Sequence, residues 1–199
     1  MNRVSETRRL GPLVLLWVLL VALGFGGLSV YSQTPGEVST PPYRKSLVDA
    51  TEPGWRLTMA MHPKCPCTRA SLAELEKLLV REPETLRCEV LAYKPFDADD
   101  SWIETETVRF ARSLPHVTIS PDASGVMASR LGILTSGGVV LYDPAGVPRF
   151  YGGITPSRNH EGDSVGSMSI LALLKGHRPA ADSSPVYGCS ILQRRPEQR

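Results

Sequence analysis

Apolar and polar positions change rhythm several times along this chain. Residues 10–31 carry no charged side chain and are apolar on every helical face. That run is long enough to cross a bilayer, which takes about 20 apolar residues. Residues 32–54 then turn polar, with Pro35, Pro41, Pro42 and Pro53, and predict a tether. Trp55 to Met61 reads as a strand. Residues 68–80 read as an amphipathic helix, with Leu72, Leu75, Leu78 and Leu79 on one side and Glu74, Glu76 and Lys77 largely on the other. A short strand is expected over 87–92, a loop over 95–100 with Asp100 or Ser101 as N-cap, and a helix over 102–114 stopped by Pro115. A third strand over 116–119 leads to Pro121-Asp122, which reads as the start of a helix to about Leu131. Residues 139–142 and 148–151 flank the Pro144-Ala145-Gly146 turn as a hairpin. Asp163 or Ser164 caps a last helix to Leu174, and an irregular, Pro-rich tail from His177 carries Cys189.

Helices between the early strands imply parallel pairing, and the late hairpin adds an antiparallel edge. The expected fold is α/β: a three-layer α/β/α sandwich on one mixed sheet, preceded by one N-terminal transmembrane helix. The expected divisions are a basic head (1–9), the transmembrane helix (10–31), a linker (32–54), the domain (55–176) and a C-terminal tail (177–199).

Charge refines the placement. The 199-residue chain carries a formal net charge of +2, and Arg3, Arg8 and Arg9 against Glu6 account for the excess. The rest is balanced, so nothing favours nucleic acid as a partner. Arginines ahead of an apolar run stay cytoplasmic, which puts the domain outside. The expectation is a bacterial inner-membrane protein, single-pass, with a cytoplasmic N-terminus and a periplasmic or otherwise extracytoplasmic domain. A cleaved signal peptide would have a shorter apolar core of ~7–15 residues and a small-residue site; Val30-Tyr31-Ser32 serves that purpose poorly.

The chemistry concentrates at His62-Pro63-Lys64-Cys65-Pro66-Cys67-Thr68-Arg69, where the first strand gives way to the first helix of the domain. Free N–H groups and the positive end of the dipole there favour thiolate over thiol. Cys65 is expected in an exposed turn, beside Lys64 and near Arg69, as the nucleophile. Cys67 is the nearest resolving thiol, and a bridge across one residue would be strained and oxidising. Cys189 is the alternative resolver if the tail folds back. The four cysteines (Cys65, Cys67, Cys88, Cys189) allow three pairings, and Cys88 reads as a buried, inert thiol. A second reading takes His62, Cys65 and Cys67, with His160 or Cys189, as a Cu(I) ligand set. Otherwise no cofactor is expected.

The order of elements, and Cys65-Pro66-Cys67-Thr68-Arg69-Ala70-Ser71-Leu72 with Leu131 to Gly146, resemble the membrane-anchored, extracytoplasmic branch of the thioredoxin-like superfamily. With Thr135-Ser136-Gly137-Gly138, Gly153 to Arg158 and His160-Glu161-Gly162, the chain is most similar to the RedB group. The resemblance implies thiol–disulfide exchange with protein thiols or disulfides outside the cytoplasm. It also implies substrate contacts at Pro66, Thr68, Arg69, Ser136 and Gly137. The chain departs from the pattern in two places: Thr68 stands where the second cysteine usually does, and Gly137 where a proline precedes the facing strand. Copper-delivery proteins of the Sco type share the fold and anchor. A non-catalytic interaction module on this fold is the third class.

Overall fold

The computed structural model describes residues 3–41, 54–82 and 85–192, with side chains from residue 11 onward. Parts of the expected basic head, linker and tail (1–2, 42–53 and 193–199) lie outside the described residues. The chain divides into two units, Met1–Thr34 and Pro35–Arg199.

The first unit is one helix, α1 (Arg3–Gln33). Its segment Gly11–Gln33 contains an 18-residue window with a mean hydropathy of 2.5, none of it buried inside the protein. Trp17 and Phe25 are 65% and 69% exposed, and a long helix that is apolar all round is compatible with a single-pass membrane anchor.

The second unit is built on five strands: β1 (Trp55–Met61), β2 (Leu86–Lys94), β3 (Val117–Ala123), β4 (Gly138–Tyr142) and β5 (Pro148–Gly153), in the order β3-β2-β1-β4-β5. β1 runs parallel to β2, and β2 to β3. β4 is antiparallel to both β1 and β5. β1 is therefore the central strand, and its last five residues are buried on both faces. One face packs against α2 (Thr68–Arg81), α3 (Glu106–Ser113) and α5 (Val165–Leu174) through Leu57, Met59, Leu72, Leu75, Val108 and Ile170. Leu72 and Leu75 are fully buried, so truncating either to Ala costs about 2–5 kcal/mol. The opposite face packs Ala60, Leu91, Val140 and Tyr142 against Ala128, Leu131 and Ile133, around α4 (Val126–Arg130), and against Ile191 of the tail.

Two elements differ from the sequence expectation. The helix expected over 102–114 is broken. A 3-10 turn at Asp100–Ile103 is followed by α3, whose N-cap Thr105 accepts a hydrogen bond from Val108 N–H. The Thr105 hydroxyl also reaches the Pro63 carbonyl, which anchors α3 to the cysteine turn. Pro121 and Asp122 belong to β3 rather than to a helix. β3 is an edge strand, where a residue without an N–H costs no ladder bond. Asp122 does cap the following helix, from one turn further back, accepting from Met127 and Ala128 N–H.

The segments flanking the expected domain also pack on it. Gly36 N–H donates to Val186 O, and Ser39 N–H to Gly132 O. Tyr151 N–H donates to Asp182 O, Ser184 N–H returns a bond to Tyr151 O, and Val186 and Ile191 are buried. Residues 35–41 and 182–191 thus wrap the β4–β5 side, so the packed unit extends past residues 55–176.

Candidate active site

β1 ends at Met61, and the chain turns through residues 62–67 into α2. Cys65 N–H closes the turn on His62 O at 2.9 Å, and Thr68 N–H on Cys65 O at 3.2 Å. Cys67 is the N-cap of α2 and makes no side-chain capping bond. The first N–H groups of the helix are left facing the turn. The His62 ring stacks on Tyr93 at 5.3 Å and meets the Trp102 edge at 5.6 Å. Burial, with help from the Lys64 charge, holds His62 below the ordinary imidazole value. Its Nδ1 accepts the Lys64 N–H at 3.2 Å.

The loop entering β4 faces this turn. Ser136 is fully buried. Its hydroxyl accepts His62 N–H at 2.8 Å and shares a 2.8 Å hydrogen bond with the Thr68 hydroxyl. Gly137 N–H donates to Ala60 O at 2.8 Å. Gly137 sits at φ +86, with Ser71 against the position a Cβ would take. Only glycine meets both demands cheaply.

The tail supplies the third side. Ser136 N–H donates to Cys189 O, and Ile191 N–H to Leu134 O, both at 2.8 Å, while Thr135 and Ser190 form an antiparallel bridge. The tail therefore lies against residues 134–136, joined by this isolated antiparallel bridge and two backbone hydrogen bonds. Gly188 makes this approach possible, because a Cβ there would run into the Ser136 carbonyl. Arg158 Nη1 donates to Gly188 O at 2.6 Å. The result is that Cys189 Sγ lies 3.0 Å from Cys65 Sγ, across 124 residues of sequence.

The three sulfurs are unequal. Burial pushes the Cys65 thiol up. Hydrogen bonds from Cys189, through side chain and backbone, and from the Thr68 hydroxyl and Cys67 N–H outweigh it, leaving Cys65 below the ordinary thiol value. Burial and the neighbouring Cys65 push Cys67 up, against the pull of Arg158. Burial and the bond to Cys65 push Cys189 up to about 12. Cys88 is buried in β2, where burial raises its thiol, with Glu89 adding; it takes no part in this cluster.

Two sequence expectations change. Cys65 is not exposed: it is 3% exposed, because the tail covers the turn, while Cys189 is the exposed member. Lys64 and Arg69 do not sit on the sulfur. Lys64 Nζ lies 4.4 Å over the Trp102 ring and Arg69 lies 5.5 Å over Phe110, so hydrogen bonds rather than cations set the acidity of Cys65. Of the residues expected in a copper set, His62, Cys65 and Cys67 share the turn, the tail brings Cys189 to Cys65, and His160 lies in the loop after β5. Among the described residues no three His, Cys, Asp or Glu side chains form a group that could hold a metal ion, and His160 Nδ1 donates to Arg158 O. Of the expected substrate contacts, Pro66 and Arg69 are exposed, whereas Thr68 and Ser136 are buried and bonded to each other.

No family model matches the chain, and no curated relative matches it. Its structure is similar to an uncharacterized conserved protein from Geobacillus kaustophilus, at TM-score 0.57 and 18% identity, covering 82% of this chain and 95% of that one. It is similar to a hypothetical protein from Sinorhizobium meliloti 1021, at TM-score 0.59 and 17% identity, covering 82% and 97%. A more distant likeness is to a secreted Mycobacterium tuberculosis disulfide oxidoreductase homologous to E. coli DsbE, at TM-score 0.42 and 16% identity, covering 62% and 81%. The fold is thioredoxin-like. On that fold, the strand-to-helix turn holding Cys65 stands at the C-terminal end of the central strand, where open α/β sheets place reactive groups. Arg158 ends the Gly153 to Arg158 stretch that carries the resemblance. Its actual bond to the Gly188 carbonyl has one faint signal, the Gly188-Cys189 pair itself, a small residue beside a cysteine.

Proposed function

We propose that this protein carries out thiol–disulfide exchange outside the cytoplasm, anchored by α1, with Cys65 and Cys189 as its reactive pair and Cys67 beside them. One observation carries the reading: two sulfurs 124 residues apart stand 3.0 Å from each other at the mouth of α2. This differs from a bridge within Cys65-Pro66-Cys67. The long-range pair closes no small strained ring, and its geometry comes from the tail segment rather than from the turn alone.

The chemistry follows from the unequal acidities. In the reduced protein Cys65 is the first sulfur to ionise, held by Thr68, Cys67 N–H and Cys189. Loss of two electrons and two protons joins it to Cys189, with an incoming disulfide as the oxidant. The oxidised pair can then be reopened by a thiolate, and Cys65 is the better leaving group. The anchor reading rests on the exposed apolar helix and on the arginines ahead of it. The RedB-type assignment rests on the motif residues alone.

The test is catalysis of disulfide exchange in a protein substrate by the full-length chain in detergent. Cys65→Ser and Cys189→Ser should each reduce the rate to background, while Cys67→Ser should keep a measurable fraction of it. Full activity in Cys65→Ser would refute the reading.

A further inference from the structure

The tail does more than deliver a second sulfur. It reverses which sulfur the solvent meets. Cys65 is 3% exposed and Cys189 is exposed. The strap that covers Cys65 is held at several points. Cys189 O accepts Ser136 N–H and Leu134 O accepts Ile191 N–H, Arg158 holds Gly188 O, and Gly36 N–H holds Val186 O. Ile191 is 1% and Val186 3% exposed. Lifting this segment breaks four hydrogen bonds and uncovers two core side chains together.

We propose that Cys189, rather than Cys65, is the sulfur that takes the client, and that the client is a protein in its dithiol form. The proposal rests on the exchange reading above and adds its direction and its point of entry. In the first step a client thiolate bonds to Cys189 Sγ of the Cys65–Cys189 disulfide. The disulfide breaks, and its electron pair stays on Cys65 Sγ. In the second step the other client thiolate attacks the client sulfur of the mixed disulfide. A client disulfide forms, the bond to Cys189 breaks, and Cys189 leaves and takes up a proton. The client has lost two electrons and two protons. The protein holds both electrons, one proton rests on Cys189, and one proton goes to solvent. An exposed disulfide of a partner protein restores the pair.

Two physical facts favour this course. Attack follows access, and only Cys189 is open. The group expelled is also the more stable thiolate. Cys65 leaves into hydrogen bonds from Thr68 and the Cys67 N–H, whereas attack on Cys65 would expel Cys189, whose thiol is raised by burial. A thiol of lower pKa leaves faster.

The experiment uses the full-length protein in detergent, oxidised with oxidised glutathione. Its bridge is first confirmed by mass spectrometry. The bridged protein is mixed with a reduced peptide carrying one cysteine, quenched in acid, alkylated with N-ethylmaleimide in denaturant and digested. The expected result is peptide on Cys189 and maleimide on Cys65, in at least about tenfold excess over the reverse. Peptide on Cys65, an even distribution, or a bridged protein that yields no adduct would each overturn the proposal and leave the exchange reading standing. A protein in which no Cys65–Cys189 bridge forms would overturn the exchange reading itself.

Discussion

Cys65 combines two properties that usually oppose each other: it is buried, and it is the most acidic thiol of its cluster. Burial alone would raise it. What lowers it is the set of donors around the sulfur, and the first of these is Cys189. Removing that donor should therefore move the titration. In the reduced protein the first thiolate should form below the ordinary value of 9.0, and Cys189→Ala should shift that step upward; thiolate absorbance against pH reads it. The stability consequence has a definite sign. A thiol held low in the folded state contributes stability above its unfolded value, and the contribution disappears as pH falls through the folded value. Cys189 behaves oppositely. Its contribution is present below 9.0 and is lost as pH rises towards about 12. Beneath the sulfurs, Ser136 joins His62 N–H to Thr68. Ser136→Ala should cost about 1–3 kcal/mol, because it leaves buried polar groups without their partner; the denaturant midpoint measures it. The cysteines were legible in the sequence because strand, turn and helix each announce themselves locally. The Ser136–Thr68 bond and the bond from Arg158 to Gly188 were not, since each joins residues that only tertiary folding brings together.

Among the elements, the strongly periodic ones kept close to their expected places. β1, α2, the β4–β5 hairpin and α5 follow hydrophobic spacing and local caps, such as the Ser164–Ser167 capping box. The misplacements arose where one residue type serves two contexts. Pro121-Asp122 resembles a helix start, and on an edge strand it is equally at home. Thr105 is a strong N-cap inside an otherwise helical pattern, and the chain breaks there. The tail is the element whose role local pattern could not give. It has no periodicity, and its conformation comes from pairing with residues 134–136. Gly188→Ala tests that pairing directly. A Cβ there collides with the Ser136 carbonyl and should push Cys189 away, slowing formation of the Cys65–Cys189 bridge by at least about tenfold. The same variant should make Cys65 accessible to alkylation. Bridge formation timed by mass spectrometry and Cys65 labelling are the two readouts.

At the scale of the whole molecule, an apolar helix and a thioredoxin-like domain share one chain. Full-length protein should stay with the membrane pellet after alkaline carbonate extraction, and a variant lacking residues 3–33 should be released. Release of the full-length chain would contradict the anchor. The central claim concerns the sulfurs, and one measurement reaches it most directly: a mass-spectrometric map of disulfides in the mildly oxidised full-length protein. Cys65 linked to Cys189, with Cys67 and Cys88 free, is the predicted outcome. A Cys65–Cys67 bridge with Cys189 free would contradict the account.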